Sequence, residues 1–153
     1  MVGFFNLKPA KTVKVKKTSA GKKEQVIKEP CEVCGLYKNC TSPKMKYSGK
    51  GKLEILIIGE VVGKFEDASN TYLAGDGSAW LRGSLENIGY DLDRDFWKTS
   101  AVNCCTPKGR KPSKKELKLC RVNIEKTIAK LKPKFIWLMG GSAIESFFMD
   151  RFT

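Results

Sequence analysis

The chain has 153 residues, a formal net charge of +13 from 29 Lys and Arg against 16 Asp and Glu, and no histidine. That length suits a single domain with its own core, and a hydrophobic share of 41% with three Trp and eight Phe excludes a wholly disordered chain. No apolar run approaches the roughly 18 residues of a membrane span, and the missing imidazole removes the commonest general base and metal ligand.

The start of the chain lacks the organisation of a signal peptide, so a cytoplasmic protein with no membrane partner is expected. The basic excess points to DNA or RNA as partner. Because it consists of 24 Lys and only 5 Arg, it also fits a solvated lysine-rich surface. Residues 1 to 30 read as a flexible basic arm, and the folded domain is expected over residues 31 to 153. Cys31-Glu-Val-Cys34 opens that domain, and two cysteines three apart in a turn can reach one metal. Leu53 to Ile58 is a nearly unbroken aliphatic run of the kind buried on both faces of a parallel sheet. It stops at Gly59, and the following loop carries Glu60, Gly63, Glu66 and Asp67. In an open α/β sheet ligands sit beyond the carboxyl ends of the strands, which makes this loop a candidate site as well as an ordinary turn.

A helix is expected from about Ser78 to Ile88, with Ala79, Leu81, Leu85 and Ile88 on its apolar face and Gly89 at its end. Phe96 to Val102 reads as a second strand that delivers Asn103-Cys104-Cys105. Ser113 and Glu116 have capping-box spacing. Leu117, Cys120, Ile124, Ile128 and Leu131 then form one buried helical stripe. Phe135 to Met139 reads as a third buried strand and Ala143 to Phe148 as a last helix. The alternation of strands and helices predicts an α/β fold with a parallel sheet and flanking helices. With three strands visible, the sheet reads as cut short on its C-terminal side.

Six cysteines in a chain of this class point to metal binding or catalysis in preference to disulfides. Cys31 and Cys34 precede the first strand, and Cys104 and Cys120 flank the second crossover, so one group can tie the N-terminal segment to the sheet. Four thiolates suit structural Zn or an iron–sulfur cluster, and spacing does not choose between them. Cys40 and Cys105 read as small buried hydrophobes.

The order CxxC, strand, Gly59-Glu60-x-x-Gly63-x-x-Glu66-Asp67, a second glycine loop, and Cys104-x-x-Pro107-x-x-Arg110-x-Pro112 resembles the family 4, iron–sulfur uracil-DNA glycosylases, especially phage-encoded relatives. The resemblance covers residues 31 to 148. It implies a three-layer glycosylase sandwich and a structural [4Fe-4S] cluster on Cys31, Cys34, Cys104 and Cys120. It also implies a monomeric DNA-repair hydrolase, for a phage-type relative one acting in the host cell, that takes single- or double-stranded DNA and excises uracil from a flipped nucleotide. Glu60, Glu66 and Asp67 would be the catalytic acids. Gly59, Val61, Gly63, Tyr72, Leu73 and Ser100 would contact the base, and Lys108, Arg110 and Lys111 the phosphates.

The chain departs from the family pattern in several places. Val62 stands where the family has proline. Leu73 stands where a Phe stacks on the base, with Tyr72 beside it. Ser100 takes the place of a pyrimidine-reading Asn, and Asn103 that of a lysine. The family's His-containing segment has no counterpart. A glycosylase-fold iron–sulfur module that binds DNA or protein without catalysis is therefore the alternative. A Zn-stabilised nucleic-acid binder of other ancestry ranks behind both.

Overall fold

A computed structural model describes residues 29–149. The expected basic arm, apart from Glu29 and Pro30, lies outside the described residues. Three strands form a parallel sheet in the order β2-β1-β3, with β1 Ile55–Val62, β2 Phe96–Cys105 and β3 Phe135–Leu138. Alternate side chains of β1 point to opposite faces. Leu56 and Ile58 pack with Leu117, Ile124, Ala143 and Phe147, while Ile57 packs with Leu81, Leu85 and Leu92. The first face is covered by α5 (Lys114–Leu131) and α6 (Gly141–Phe148), the second by α3 (Asp76–Glu86) and the short α4 (Leu92–Asp95). The result is the expected three-layer α/β arrangement. Among the described residues no helix is long and apolar enough to cross a membrane.

The sheet differs from expectation in two respects. β1 begins two residues late, because Glu54 sits in a left-handed turn at φ 58 and its N–H bonds back to the Gly51 carbonyl. It then runs on through Gly59 to Val62, because β2 extends to Cys105 and supplies partners for Gly59, Val61 and Val62. β3 pairs only with β1 among the described residues, so Phe135 and Trp137 remain 66% and 39% exposed instead of buried.

Helix boundaries follow local chemistry more closely. In α5 the Ser113 hydroxyl accepts from the Glu116 N–H while the Glu116 carboxylate accepts from the Ser113 N–H, and Leu117, Cys120, Ile124 and Ile128 are buried as the stripe predicts. α3 starts at Asp76 and buries Ser78, Leu81 and Leu85, but Ala79 and Ile88 face solvent. Cys31 and Cys34 lie on a five-residue helix, α1 (Pro30–Cys34), which Gly35 ends at φ 74 by donating its N–H to the Cys31 carbonyl. Residues three apart on a helix share a face, so both thiols are presented together.

On the α3 side of β2, the fully buried Lys98 ammonium pairs with Asp93, which also accepts from Arg82 at 2.6 Å. Burial pushes the Asp93 carboxyl up, but the bonds from Lys98 and Arg82 outweigh it and hold the group below its ordinary range. The Asp93 side chain is 49% exposed, but removing its charge strands the fully buried Lys98 ammonium, at a cost of about 1–3 kcal/mol. Asp93→Asn is therefore expected to lower the melting temperature, by roughly 2–12 °C for a domain of this size. Asp93→Asn/Lys98→Met should recover most of that loss in the same thermal scan.

Candidate functional site

A cleft of about 380 Å3 opens where β1 and β2 end. Gly59, Glu60, Val61, Gly63, Glu66, Leu73 and Ser100 all line it, so seven of the nine residues expected at the acids and the base are gathered in one place. Gly59 pairs with Ser100 across the sheet, and a Cβ at Gly59 would lie 3.3 Å from the Ser100 hydroxyl. Glycine there keeps the floor open above the serine.

Glu60 is half-buried and its Oε1 accepts from the Ser142 N–H at 2.9 Å, in the first turn of α6. The unpaired amides at a helix start favour a carboxylate. Gly140 makes this possible. It sits at φ 98, and a Cβ on it would fall 2.4 Å from the Glu60 side chain. Glu66 lies on α2 (Lys64–Ser69), not in a loop, and its Oε1 accepts from the Ala74 and Gly75 N–H groups at 3.1 and 3.0 Å. It latches the second glycine loop to the first.

Two expected site residues face elsewhere. Asp67 is buried, and its two oxygens accept from the Thr41 and Ser42 N–H groups at 2.9 and 2.8 Å. It ties α2 to the segment after α1, away from the cleft. Tyr72 is 1% exposed in a cluster with Met45 and Val62, and its hydroxyl donates to the Met45 carbonyl at 3.0 Å. Burial pushes the Tyr72 phenol above its ordinary range, and its ring is not available to a base in the cleft. The aromatic surface in the cleft belongs to Phe65, which is 59% exposed. Its only sequence signal is position, between Gly63 and Glu66.

Cys31, Cys34, Cys104 and Cys120 line a second, much tighter cavity of about 20 Å3 between α1, α5 and β2. Cys40 and Cys105 do not line it. The Lys44 N–H points at the Cys104 sulfur at 3.4 Å, and the Asn103 N–H and Asn123 amide point at the Cys120 sulfur at 3.4 and 3.5 Å. Burial pushes the Cys104 thiol up to about 12 and the Cys120 thiol upward as well. Ligation would have to displace those protons. Among the described residues no three His, Cys, Asp or Glu side chains have the spacing to hold one metal ion. Four thiols around one cavity, with N–H donors aimed at two of them, are a donor set that structural Zn and iron–sulfur clusters both use.

The basic turn lies outside both cavities. Lys108 and Lys111 are exposed, but the Arg110 guanidinium is committed to Glu116, with bonds of 2.8 and 2.6 Å. Arg110 therefore braces the start of α5 and is not a free phosphate ligand. Hydrogen bonds from Arg110, and then from the Ser113 N–H, outweigh burial and hold the Glu116 carboxyl at about 2. Because the folded value lies below the unfolded one of about 4.5, the stabilisation is complete above pH 4.5 and is lost as pH falls towards 2. The fall in melting temperature over that window should be shallower in Glu116→Gln.

Comparison with known proteins gives a consistent picture. The profile of the uracil DNA glycosylase superfamily matches residues 45–152. A type-4 uracil-DNA glycosylase of Pyrobaculum aerophilum is 31% identical over 113 residues, which cover 69% of this chain and 57% of that protein. The type-4 enzyme of Archaeoglobus fulgidus is 26% identical over 127 residues, 82% of this chain and 63% of that protein. A DNA polymerase of Bacillus phage SP01 is 35% identical over 78 residues, half of this chain but 8% of the polymerase. The chain spans about half to three-fifths of the length of the type-4 glycosylases it matches.

Proposed function

This chain belongs to the uracil DNA glycosylase superfamily, and on that premise we propose that it binds DNA and releases uracil by hydrolysing the N-glycosidic bond. The observation that carries the reading is the cleft itself, which gathers Glu60, Ser100 and Phe65 around an open floor at Gly59. A deoxyuridine extruded from the stack would enter there, at a cost of a few kcal/mol, roughly what one good base contact returns. Phe65 offers a flat face to the pyrimidine, and the Ser100 hydroxyl one hydrogen bond to its edge. As the bond between C1′ and N1 breaks, N1 keeps the electron pair and the sugar becomes an oxocarbenium-like cation. The Glu60 carboxylate, held by the Ser142 N–H, stabilises that cation. It then takes a proton from the water that adds to C1′.

Four thiols around one cavity are the donor set of a [4Fe-4S] cluster, which Cys31, Cys34, Cys104 and Cys120 would hold. When bound, it would supply structure only, fastening α1 to β2 and α5 while the N–H groups of Lys44 and Asn103 face the sulfurs. Lys108 and Lys111 remain the phosphate contacts of the basic turn.

The test is alkali-dependent cleavage of uracil-containing single- and double-stranded oligonucleotides by anaerobically purified protein, with thymine oligonucleotides as control. Release of uracil is the expected result. Phe65→Ala should lower kcat/KM about tenfold to a hundredfold, since stacking on one base contributes about 1–3 kcal/mol. Tight binding without release would instead favour the second reading, a DNA-binding module stabilised by its cluster. That reading is supported by Leu73 and Ser100, which give the cleft no second ring and no bidentate amide.

A further inference from the structure

We propose that the outer edge of β2 carries a second nucleic-acid site, which holds a single strand by its phosphates with Tyr47 beneath a base. Residues Lys44 to Ser48 run along that edge. The Met45 N–H donates to the Asn103 carbonyl at 2.9 Å, and Ser48 and Lys98 exchange backbone bonds of 2.9 and 2.8 Å. Between this segment and the C-terminal half of α5 lies a groove of about 320 Å3. It shares no lining residue with the cleft at Glu60.

The lining is chemically one-sided. Lys44, Lys46, Lys126 and Lys130 contribute four exposed ammonium groups and no carboxylate lines the groove. Lys126 and Lys130 are four apart, so they stand one turn from each other on the same face of α5. Among the described residues none of the four pairs with an acid. Instead Lys130 lies 5.2 Å from the Tyr47 ring centroid and Lys44 lies 4.6 Å from that of Tyr37. A concave row of unpaired ammonium groups beside a half-exposed ring combines the phosphate track and stacking platform of single-strand binders.

A further observation points to a ligand. Asn103 lines both this groove and the four-cysteine cavity, is only 5% exposed, and its Oδ1 has no hydrogen-bond partner. A buried amide left unpaired is costly unless something completes it. A base edge, which offers both donors and acceptors, can do so. A carboxylate-rich peptide could also donate through its backbone N–H groups, but it has no flat face for the ring, so the groove favours a nucleic-acid strand. The inference does not depend on glycosylase chemistry.

The experiment is fluorescence anisotropy of the full chain with a labelled oligothymidylate of about twelve nucleotides, which contains no uracil. It is read across a salt titration. Lys126→Ala/Lys130→Ala should weaken binding and reduce the slope of log K against log salt by about 1.4, since each single-strand phosphate contact contributes about 0.7. Tyr47→Ala should weaken binding on the order of tenfold while leaving the slope unchanged. Both variants replace side chains at least partly exposed, and equal melting temperatures would confirm that they fold. Unchanged affinity and slope in both groove variants would overturn the proposal. So would competition by a polyglutamate peptide as effective as that of unlabelled strand, which would assign the groove to an acidic protein segment. Loss of uracil release with groove binding intact would count against the glycosylase reading alone.

Discussion

Cys34→Ala is expected to yield a colourless protein that melts far below the brown wild type or fails to stay in solution. In the apoprotein this substitution should be nearly silent. Cys34 is only partly buried, and α1 contains no buried residue. Truncating such a side chain leaves little cavity, so its cost as packing alone is about 1 kcal/mol or less. As a cluster ligand the same sulfur has a different weight, because binding free energy at a structural metal site is folding free energy, on the order of 10 kcal/mol. That equals the whole stability of an ordinary domain. The contrast between those magnitudes makes Cys34 more informative than Cys120, whose loss would damage the core in either case. Iron and sulfide analysis of anaerobically purified protein, with thermal scans of both forms, provides the check. A colourless wild type containing Zn would move the site to a single ion. A metal-free wild type that melts with Cys34→Ala would remove the cluster from the account altogether.

The parts of this molecule that were legible in its sequence are those fixed by neighbours along the chain. The α5 helix is set by Ser113, Glu116 and a stripe at steps of three and four, all within one segment. Cys31 and Cys34 share a helix face for the same reason. What sequence did not disclose depends on partners far away. Gly59 reads as the end of a strand, yet β1 continues because β2 runs alongside it to Cys105. Glu66 and Asp67 read as a pair of site acids. Neighbours on a helix point roughly 100° apart, however, so one latches the cleft and the other turns inward to Thr41. Tyr72 and Leu73 were ambiguous by a single residue. The chain passes through left-handed backbone at Asn70 and again at Leu73, at φ 51 and 56, and that course buries the tyrosine and leaves the leucine at the cleft. β3 is as apolar as a covered strand, and composition does not record which side of it is open.

Glu60→Gln carries the largest expected loss of activity, about a hundredfold to ten-thousandfold in single-turnover uracil release, or roughly 3–5 kcal/mol of transition-state stabilisation. The substitution is chosen for what it preserves. A glutamine oxygen still accepts the Ser142 N–H that Glu60 accepts at 2.9 Å, so the turn at Gly140 and the start of α6 keep their anchor. Only the negative charge and the capacity to take a proton disappear. Melting temperature and oligonucleotide affinity should therefore match the wild type while the chemical step slows. Glu60→Ala removes the anchor too, and should add about 1 kcal/mol of destabilisation for the lost hydrogen bond. The difference between the two variants separates the residue's two tasks. Full activity in Glu60→Gln with a lowered melting temperature in Glu60→Ala would reduce Glu60 to a strut beneath α6. Loss of activity in both, with binding intact, would place its charge at the reacting sugar.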